Sequence, residues 1–165
     1  MNYRRLYSLL MVMIFALSGC TTLNGWYNGV VVSFGWQQRL STIDITLETD
    51  EKKIDLTVEV ADDPNERATG LMYGSSLKEG RGMWFIFEDE VVRRFWMKNM
   101  EFPIDIMYLN SEKEIRSFIQ NAQPCTSDPC EMYLSESAAQ YVLEVPAGFI
   151  EENGVEVGDI VYEVK

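Results

Sequence analysis

The strongest constraint on the fold of this chain is a two-residue alternation of apolar and polar side chains between residues 43 and 60. The apolar side chains at every second position are Ile43, Ile45 and Leu47 in one run and Ile54, Leu56, Val58 and Val60 in the next. A period of two places successive side chains on opposite faces of a strand. Because polar residues 50–53 separate the two runs, the pattern predicts a half-buried antiparallel hairpin.

Similar short segments follow along the rest of the chain. We predict further strands over residues 83–87, 95–109, 114–119, 141–145 and 159–164. Asp63 and Pro64 predict the start of a short helix that ends near residues 72–74, and residues 147–153 predict a second helix or turn. Short strands with one or two small helices predict a mostly β fold (α+β), a compact antiparallel sandwich or barrel formed by one domain over residues 43–165.

Residues 95–105 contain two short apolar-alternating runs that meet at a proline. We predict a hairpin with a four-residue loop at 100–103, which places Lys98 opposite Asp105. Trp96 then shares a face with this ion pair, and an indole beside two charges favours ligand binding, since the ring can stack on a sugar or a cation. The alternative is a structural ion pair covered by the indole. The other face of the hairpin is predicted to be apolar, with Phe95, Met97, Ile106 and Tyr108.

Arg67 and Glu144 are further candidates for this ligand site. The guanidinium of Arg67 could clamp a carboxylate, and the alternative is a helix-surface position. Glu144 could pair with Asp105 as the two carboxyl groups of a hydrolase acting on envelope carbohydrate, which requires a separation of about 5 to 10 Å. The alternative for Glu144 is a solvated strand face.

The chain contains no histidine. Nucleophile systems that use histidine are therefore excluded, as are histidine-ligated zinc, copper and haem sites. The chain has five methionines that could offer thioethers to Cu(I), although methionines more often fill a core: Met72, Met83, Met97, Met100 and Met107. A soft-metal carrier would use Met97 and Met100. We expect no cofactor, no bound metal and a role in binding rather than in catalysis.

The N-terminus has the pattern of a processing signal. Two arginines precede the apolar segment 6–16, which is too short to span a bilayer, and Leu-Ser-Gly-Cys ends at Cys20. This tetrapeptide resembles a bacterial lipobox, which implies removal of residues 1–19, lipidation of Cys20 and a tether over residues 20–42. Thr21 beside the cysteine favours an outer membrane in a cell that has one. The alternatives are an ordinary cleaved signal peptide and an uncleaved anchor.

The charge of the chain narrows its partners. The net charge is −12, and removal of residues 1–19 leaves 12 basic and 26 acidic residues, a net charge of −14. Nucleic acid is therefore excluded as a predicted partner, because phosphate binding needs clustered cations. The expected partners are the membrane, through the N-terminal lipid, and a small molecule, a glycan or an envelope protein.

Cys125 and Cys130 are the thiols that remain if Cys20 carries lipid. Outside the cytoplasm, two cysteines separated by four residues predict a disulfide that stiffens the 121–134 loop. The chain-entropy model gives such a small loop a stabilisation of roughly 2 kcal/mol. The spacing differs from the Cys-x-x-Cys of redox enzymes, and the loop lacks the further soft ligands that zinc requires.

Several ordered motifs together resemble the family called domain of unknown function 192 (DUF 192). They are Glu66–Met72, Gly82–Phe85, Phe95–Asn99, Pro103–Asp105, Tyr141–Glu144, Ala147–Gly148 and Gly158–Asp159. The resemblance spans about residues 45–164. The chain departs from the family pattern at Met100, where threonine is usual, and at Gly74, where a basic residue often stands. It implies a small β-rich sandwich and no established activity, so it leaves open a binding module, a carboxylate hydrolase and a soft-metal carrier.

Overall fold

The computed structural model describes residues 26–27, 30–31 and 40–164 of the chain. The predicted signal segment 1–19 and Cys20 lie outside the described residues, as does most of the predicted tether. Strands β1 (Trp26–Tyr27) and β2 (Val30–Val31) pair with each other, in a unit separate from residues 39–165. In the described part of the chain, no helix combines the length and the apolar character that a membrane span requires.

Seven strands form one sheet in the larger unit. They are β3 (Thr42–Glu48), β4 (Lys53–Ala61), β5 (Arg81–Trp96), β6 (Ile104–Leu109), β7 (Ile115–Ala122), β8 (Met132–Pro146) and β9 (Ile160–Glu163). Their spatial order is β7-β6-β8-β5-β4-β3-β9, and every neighbouring pair is antiparallel except β4 and β5. The two helices are α1 (Pro64–Thr69) and α2 (Phe149–Asn153).

The sheet curls until its two edges touch. Glu114, next to edge strand β7, forms a bridge with Ile160 of edge strand β9. The backbone N–H of Ile115 donates to the carbonyl of Asp159 at 2.8 Å. The fold is therefore a curled, mostly β half-barrel with two short helices, which confirms the predicted fold class.

The hairpin predicted from the alternation is confirmed as β3 and β4. Ile45 lies opposite Leu56, and Leu47 lies opposite Ile54. Ile45 and Leu47 are fully buried, because the apolar face of this hairpin turns into the curl.

Helix α1 begins where the sequence predicted. The Asp63 carboxylate accepts from the backbone N–H groups of Asn65 and Glu66, and the Glu66 carboxylate accepts from the N–H of Asp63. This capping box satisfies donors that a helix start leaves unpaired. The helix ends earlier than predicted, at Thr69, because Gly70 leaves the helical conformation with φ of 49°.

Two apolar clusters lie on the two faces of the sheet. The inner cluster takes side chains from all seven strands and α2, including Ile45, Leu56, Trp84, Met107, Ile115, Leu143, Phe149 and Val161. The outer cluster lies mainly on β5, β8 and β6, with single alanines from β4 and β7, and includes Met83, Phe85, Met97, Met100, Ile104, Ile106, Tyr108 and Val142. Strand β8 is therefore covered on both faces over its central part.

The predicted hairpin between β5 and β6 is wrong. Strand β8 lies between them and pairs with both, so β5 and β6 run in the same direction. Residues 97–103 cross over β8 instead of forming a tight turn. The alternation of apolar and polar residues in this segment does not distinguish a crossover from a hairpin loop of similar length. The predicted apolar face survives this change, because Phe95, Met97, Ile106 and Tyr108 all belong to the outer cluster or pack against it.

Gly82 of β5 packs closely against the two neighbouring strands. A Cβ atom on this residue of β5 would lie 2.7 Å from the backbone oxygen of Glu144 and 3.2 Å from the Val58 side chain. We expect Gly82→Ala to lower the free energy of unfolding by about 1–3 kcal/mol, because the neighbouring strand must shift. Urea unfolding measures this change, with Glu59→Ala on an exposed position of β4 as the control. Equal stability of the two variants would contradict the packing argument.

Candidate functional site

The predicted pairing of Lys98 with Asp105 does not form. The Lys98 ammonium lies 3.3 Å from the carboxylate of Asp128 and 5.8 Å from the centre of the Trp96 ring. The Trp96 side chain is 47% exposed. An indole and an ammonium therefore stay together at the surface, as predicted, but the aspartate beside them comes from the 123–131 loop.

Asp105 has a structural role inside the curl. Its side chain is fully buried, and its two carboxylate oxygens accept from the N–H of Asn121 at 2.7 Å and from the N–H of Ile150 at 3.0 Å. Asn121 lies at an irregularity in the pairing of β6 with β7. Gly148, which precedes α2, has no side chain that could cap the helix. Asp105 of β6 therefore supplies the acceptor for the Ile150 N–H in the first turn of α2.

Arg67 is held mainly by protein oxygens. Its guanidinium donates to the backbone carbonyls of Asp62 and Ile86, lies 3.3 Å from the carboxylate of Glu88 and stacks 5.1 Å from the ring centre of Phe87. The side chain is only 12% exposed. These contacts join α1 to β5. They also occupy the guanidinium N–H groups with which Arg67 was predicted to clamp a ligand carboxylate.

A small cavity lies on the outer face of the sheet, and its wall includes Arg67, Trp96 and Glu144, three of the five predicted ligand residues. The rest of the wall comes from residues 68–72, Phe85, Phe95, Met97, Met100 and Ile104. The cavity volume is about 30 Å³, room for roughly two water molecules. Lys98 and Asp105 do not line it.

Glu144 is the acidic group of this cavity. It lies opposite Met83 on β5 and Ile106 on β6, within the outer face, and is only 5% exposed. No hydrogen bond or ion pair among the described residues involves its carboxyl group. The oxygens of that group are not among the fully enclosed atoms without a partner, so they keep accessible surface at the cavity. Burial raises the pKa of Glu144 to about 8, because an apolar environment disfavours the charged form. The alternative that Glu144 lies on a solvated strand face is therefore wrong.

The carboxyl pair required by the hydrolase hypothesis does not exist. Ile106 lies opposite Glu144 in the β6–β8 pairing, and Asp105 precedes Ile106. Successive side chains of a strand point to opposite faces, so Asp105 enters the inner side of the sheet while Glu144 enters the outer side. The two carboxyl groups cannot act across one cleft.

Met97 and Met100 are buried, with 2% and 9% of their surfaces exposed. Both belong to the outer cluster, which is the packing role that the sequence offered as the alternative. Both also line the cavity, together with Met72. The sequence had named Met72 among the methionines that could offer thioethers, but it had not placed the turn after α1 in the ligand site.

Cys125 and Cys130 are paired as a disulfide in the structure, with their Cα atoms 5.5 Å apart. This separation lies in the usual range for a disulfide. The backbone N–H of Cys125 donates to the carbonyl of Met97 at 3.0 Å. This backbone hydrogen bond connects the 123–131 loop to the crossover that carries Met97 and Lys98, and the disulfide closes the loop itself.

Comparisons with known proteins agree with this architecture. The DUF192 family profile, described as Uncharacterized ACR, matches residues 45–162. A UPF0127 protein of Pyrococcus abyssi (strain GE5 / Orsay) is 33% identical over 107 residues, which cover 62% of this chain and 81% of that protein.

Two solved structures are similar in fold. One is a Sinorhizobium meliloti 1021 protein described as a candidate transcription regulator, with a TM-score of 0.71 and 34% identity, covering 75% of this chain and 95% of the other. The second is a protein of unknown function from Novosphingobium aromaticivorans DSM 12444, with a TM-score of 0.70 and 24% identity, covering 87% of this chain and 99% of the other. The second likeness concerns the fold alone.

Proposed function

The chain belongs to the DUF192 family, and we propose that this member is a lipid-anchored domain of the cell envelope that binds a small ligand in the cavity beside Glu144. The observation that carries the ligand site is a buried carboxyl group at the cavity wall for which the described residues supply no hydrogen-bond partner. Buried polar groups normally have hydrogen-bond partners. Within residues 40–164 this one has none, and a ligand could supply the partner.

Support for the anchor comes from the sequence. The arginines, the short apolar segment and the Leu-Ser-Gly-Cys ending at Cys20 follow the lipobox pattern. The pairing of Cys125 with Cys130 fits an oxidising compartment outside the cytoplasm. A domain attached through several acyl chains would remain at the membrane, since each buried methylene contributes about 0.8 kcal/mol.

The cavity size limits what the ligand presents to Glu144. A volume of about 30 Å³ admits a group of about two heavy atoms, so a sugar ring could place only a substituent beside Glu144. A glycan or an envelope protein could still rest on the exposed face of Trp96 and place a small group inside. The ligand is therefore a molecule with a small terminal group.

A role in transcription is not carried over from the S. meliloti protein. That protein is 34% identical to this chain, but this chain has 14 basic and 26 acidic residues. Nucleic-acid binding depends on clustered cations that neutralise phosphates.

The anchor is tested by Cys20→Ser in a bacterial host fed with labelled palmitate. We expect the wild-type chain to incorporate label and to sediment with membranes, and the variant to do neither. Cys125→Ser is the control, because it removes another cysteine and should leave labelling unchanged. Equal labelling of the Cys20→Ser variant would overturn the proposal of a lipid anchor.

The ligand site is tested by thermal unfolding of the purified full chain against amines, monosaccharides and the soft ion Ag(I). We expect at least one class to raise the Tm of the wild type and to raise that of Glu144→Gln much less, because the cavity has lost its acid. Glu152→Gln, at an exposed position on α2, is the matched control. If no class distinguishes the wild type from Glu144→Gln, the proposed ligand site is overturned.

A second candidate function is the carriage of a soft metal ion such as Cu(I). The observation that favours it is that Met72, Met97 and Met100 all line the Glu144 cavity, and thioethers are ligands for Cu(I). In this case Met97→Leu and Met100→Leu, which conserve volume, should abolish binding of Ag(I). The same variants should leave amine binding largely intact.

A further inference from the structure

We infer that the group bound beside Glu144 is a primary ammonium, the terminal –NH₃⁺ of a ligand whose remainder passes Trp96 towards solvent. This inference rests on the proposed ligand site and names its chemistry. The geometry that carries it is the combination of a lone buried carboxyl group, a very small cavity and a wall of aromatic rings and thioethers.

The ionised form of Glu144 selects a cation. Glu144 is the acid of the cavity, and the nearby Arg67 guanidinium is already held by the carbonyls of Asp62 and Ile86 and by the carboxylate of Glu88. An anionic ligand would therefore find no free cation among the described residues of the wall, and it would oppose the loss of the Glu144 proton. An ammonium instead supplies the donors that the Glu144 oxygens lack, and hydrogen bonds between charged groups are the stronger kind.

The size of the cavity selects a primary ammonium. About 30 Å³ holds roughly two heavy atoms of the size of water, which matches a nitrogen and the carbon attached to it. A quaternary ammonium carries four carbons on the nitrogen and exceeds this space. Methylammonium is therefore the smallest complete probe of the site, and tetramethylammonium is its matched control.

The apolar part of the wall suits an organic cation. Phe85, Phe95 and Trp96 contribute aromatic rings, and Met97 and Met100 contribute polarisable thioethers. A hard divalent ion needs six or more oxygen ligands. Within the part of the chain that the structure describes, no group of three or more acidic or cysteine side chains is placed to hold a metal ion.

Binding should release a proton. The free protein carries Glu144 as the neutral acid at neutral pH, so formation of the pair follows –COOH + RNH₃⁺ → –COO⁻···RNH₃⁺ + H⁺. The other titratable groups near Glu144 in the described chain are Tyr108 on β6 and Arg67 on α1. Burial raises the pKa of Tyr108 further above its usual value, so this phenol keeps its proton near neutral pH. The affinity should rise about 50-fold from pH 6 to pH 8.

Calorimetric titration of the purified full chain with methylammonium chloride tests the inference. We expect binding with release of close to one proton at pH 7, read from the difference between two buffers of unlike ionisation enthalpy. Tetramethylammonium and Glu144→Gln should each weaken binding at least tenfold, and Glu152→Gln should not. The proton release is measured on the wild type. This part of the test therefore stays valid even if Glu144→Gln fails to fold.

The outcomes separate the inference from the function that it extends. Binding of tetramethylammonium as tight as that of methylammonium, or methylammonium binding without proton release, overturns the ammonium site. If methylammonium fails but Ag(I) or a sugar binds in a manner that depends on Glu144, the inference is overturned and the proposed ligand site stands. If no class binds, both are overturned.

Discussion

Asp105→Ala is expected to lower the free energy of unfolding by about 3–5 kcal/mol. The wild-type carboxylate is fully buried and accepts from the N–H groups of Asn121 and Ile150. Alanine leaves both donors without acceptors inside the inner side of the sheet. Because one of these donors belongs to β7 and the other to the first turn of α2, the substitution loosens two elements together. Urea unfolding followed by circular dichroism measures the loss.

Two further variants make the test of Asp105 specific. Asp105→Asn keeps the size of the side chain and one acceptor oxygen, so its stability should fall between that of the wild type and that of Asp105→Ala. Asp128→Ala removes an aspartate whose side chain is 75% exposed and pairs with Lys98 at the surface, and it should cost less than about 1 kcal/mol. If Asp105→Ala costs no more than Asp128→Ala, the structural role of Asp105 is refuted.

The features that sequence reasoning predicted correctly are local. The β3–β4 hairpin follows from the alternation of Ile45, Leu47 and Leu56, and the start of α1 follows from Asp63 and its capping box. Each depends on residues within about ten positions of one another. The mostly β fold class follows from the number of such segments.

The pairing of β5 with β6 could not be predicted because it depends on a distant strand. Strand β8 begins some 35 residues after β5 ends and inserts between β5 and β6. The periodicity of residues 95–109 fixes which side chains share a face, and it did so correctly for Phe95 and Tyr108, whose rings lie 6.0 Å apart. It does not fix which strand is the neighbour, and the predicted contact of Lys98 with Asp105 failed for that reason.

The candidate site was predicted in part. Arg67, Trp96 and Glu144 do reach one cavity, whereas Lys98 and Asp105 do not. Glu144 was expected at a solvated strand face because acids usually are solvated, but the crossover that carries Met97 and Met100 covers this face of β8. Burial of an acid by a distant segment leaves no periodic signal in its own strand.

Glu144 is expected to make the protein less stable as the pH rises from 5.5 to 8. The sign follows from the two pKa values: that of the folded protein is raised by burial to about 8, and the ordinary value is 4.5. Between them the folded protein keeps a proton that the unfolded chain has released, so a rise in pH favours unfolding. The contribution is about 1.4 kcal/mol per pH unit, or about 3 kcal/mol over this range.

Glu144→Gln isolates this contribution, because glutamine keeps the size and polarity of the side chain and does not titrate. Unfolding free energies of the wild type and the variant, measured in urea at half-unit steps of pH, should diverge as the pH rises, with the variant the more stable at pH 8. The exposed control Glu152→Gln should follow the wild type throughout. Parallel curves for the wild type and Glu144→Gln would show that the carboxyl group is solvated in the folded protein, and the cavity would then hold no buried acid for an ammonium to meet.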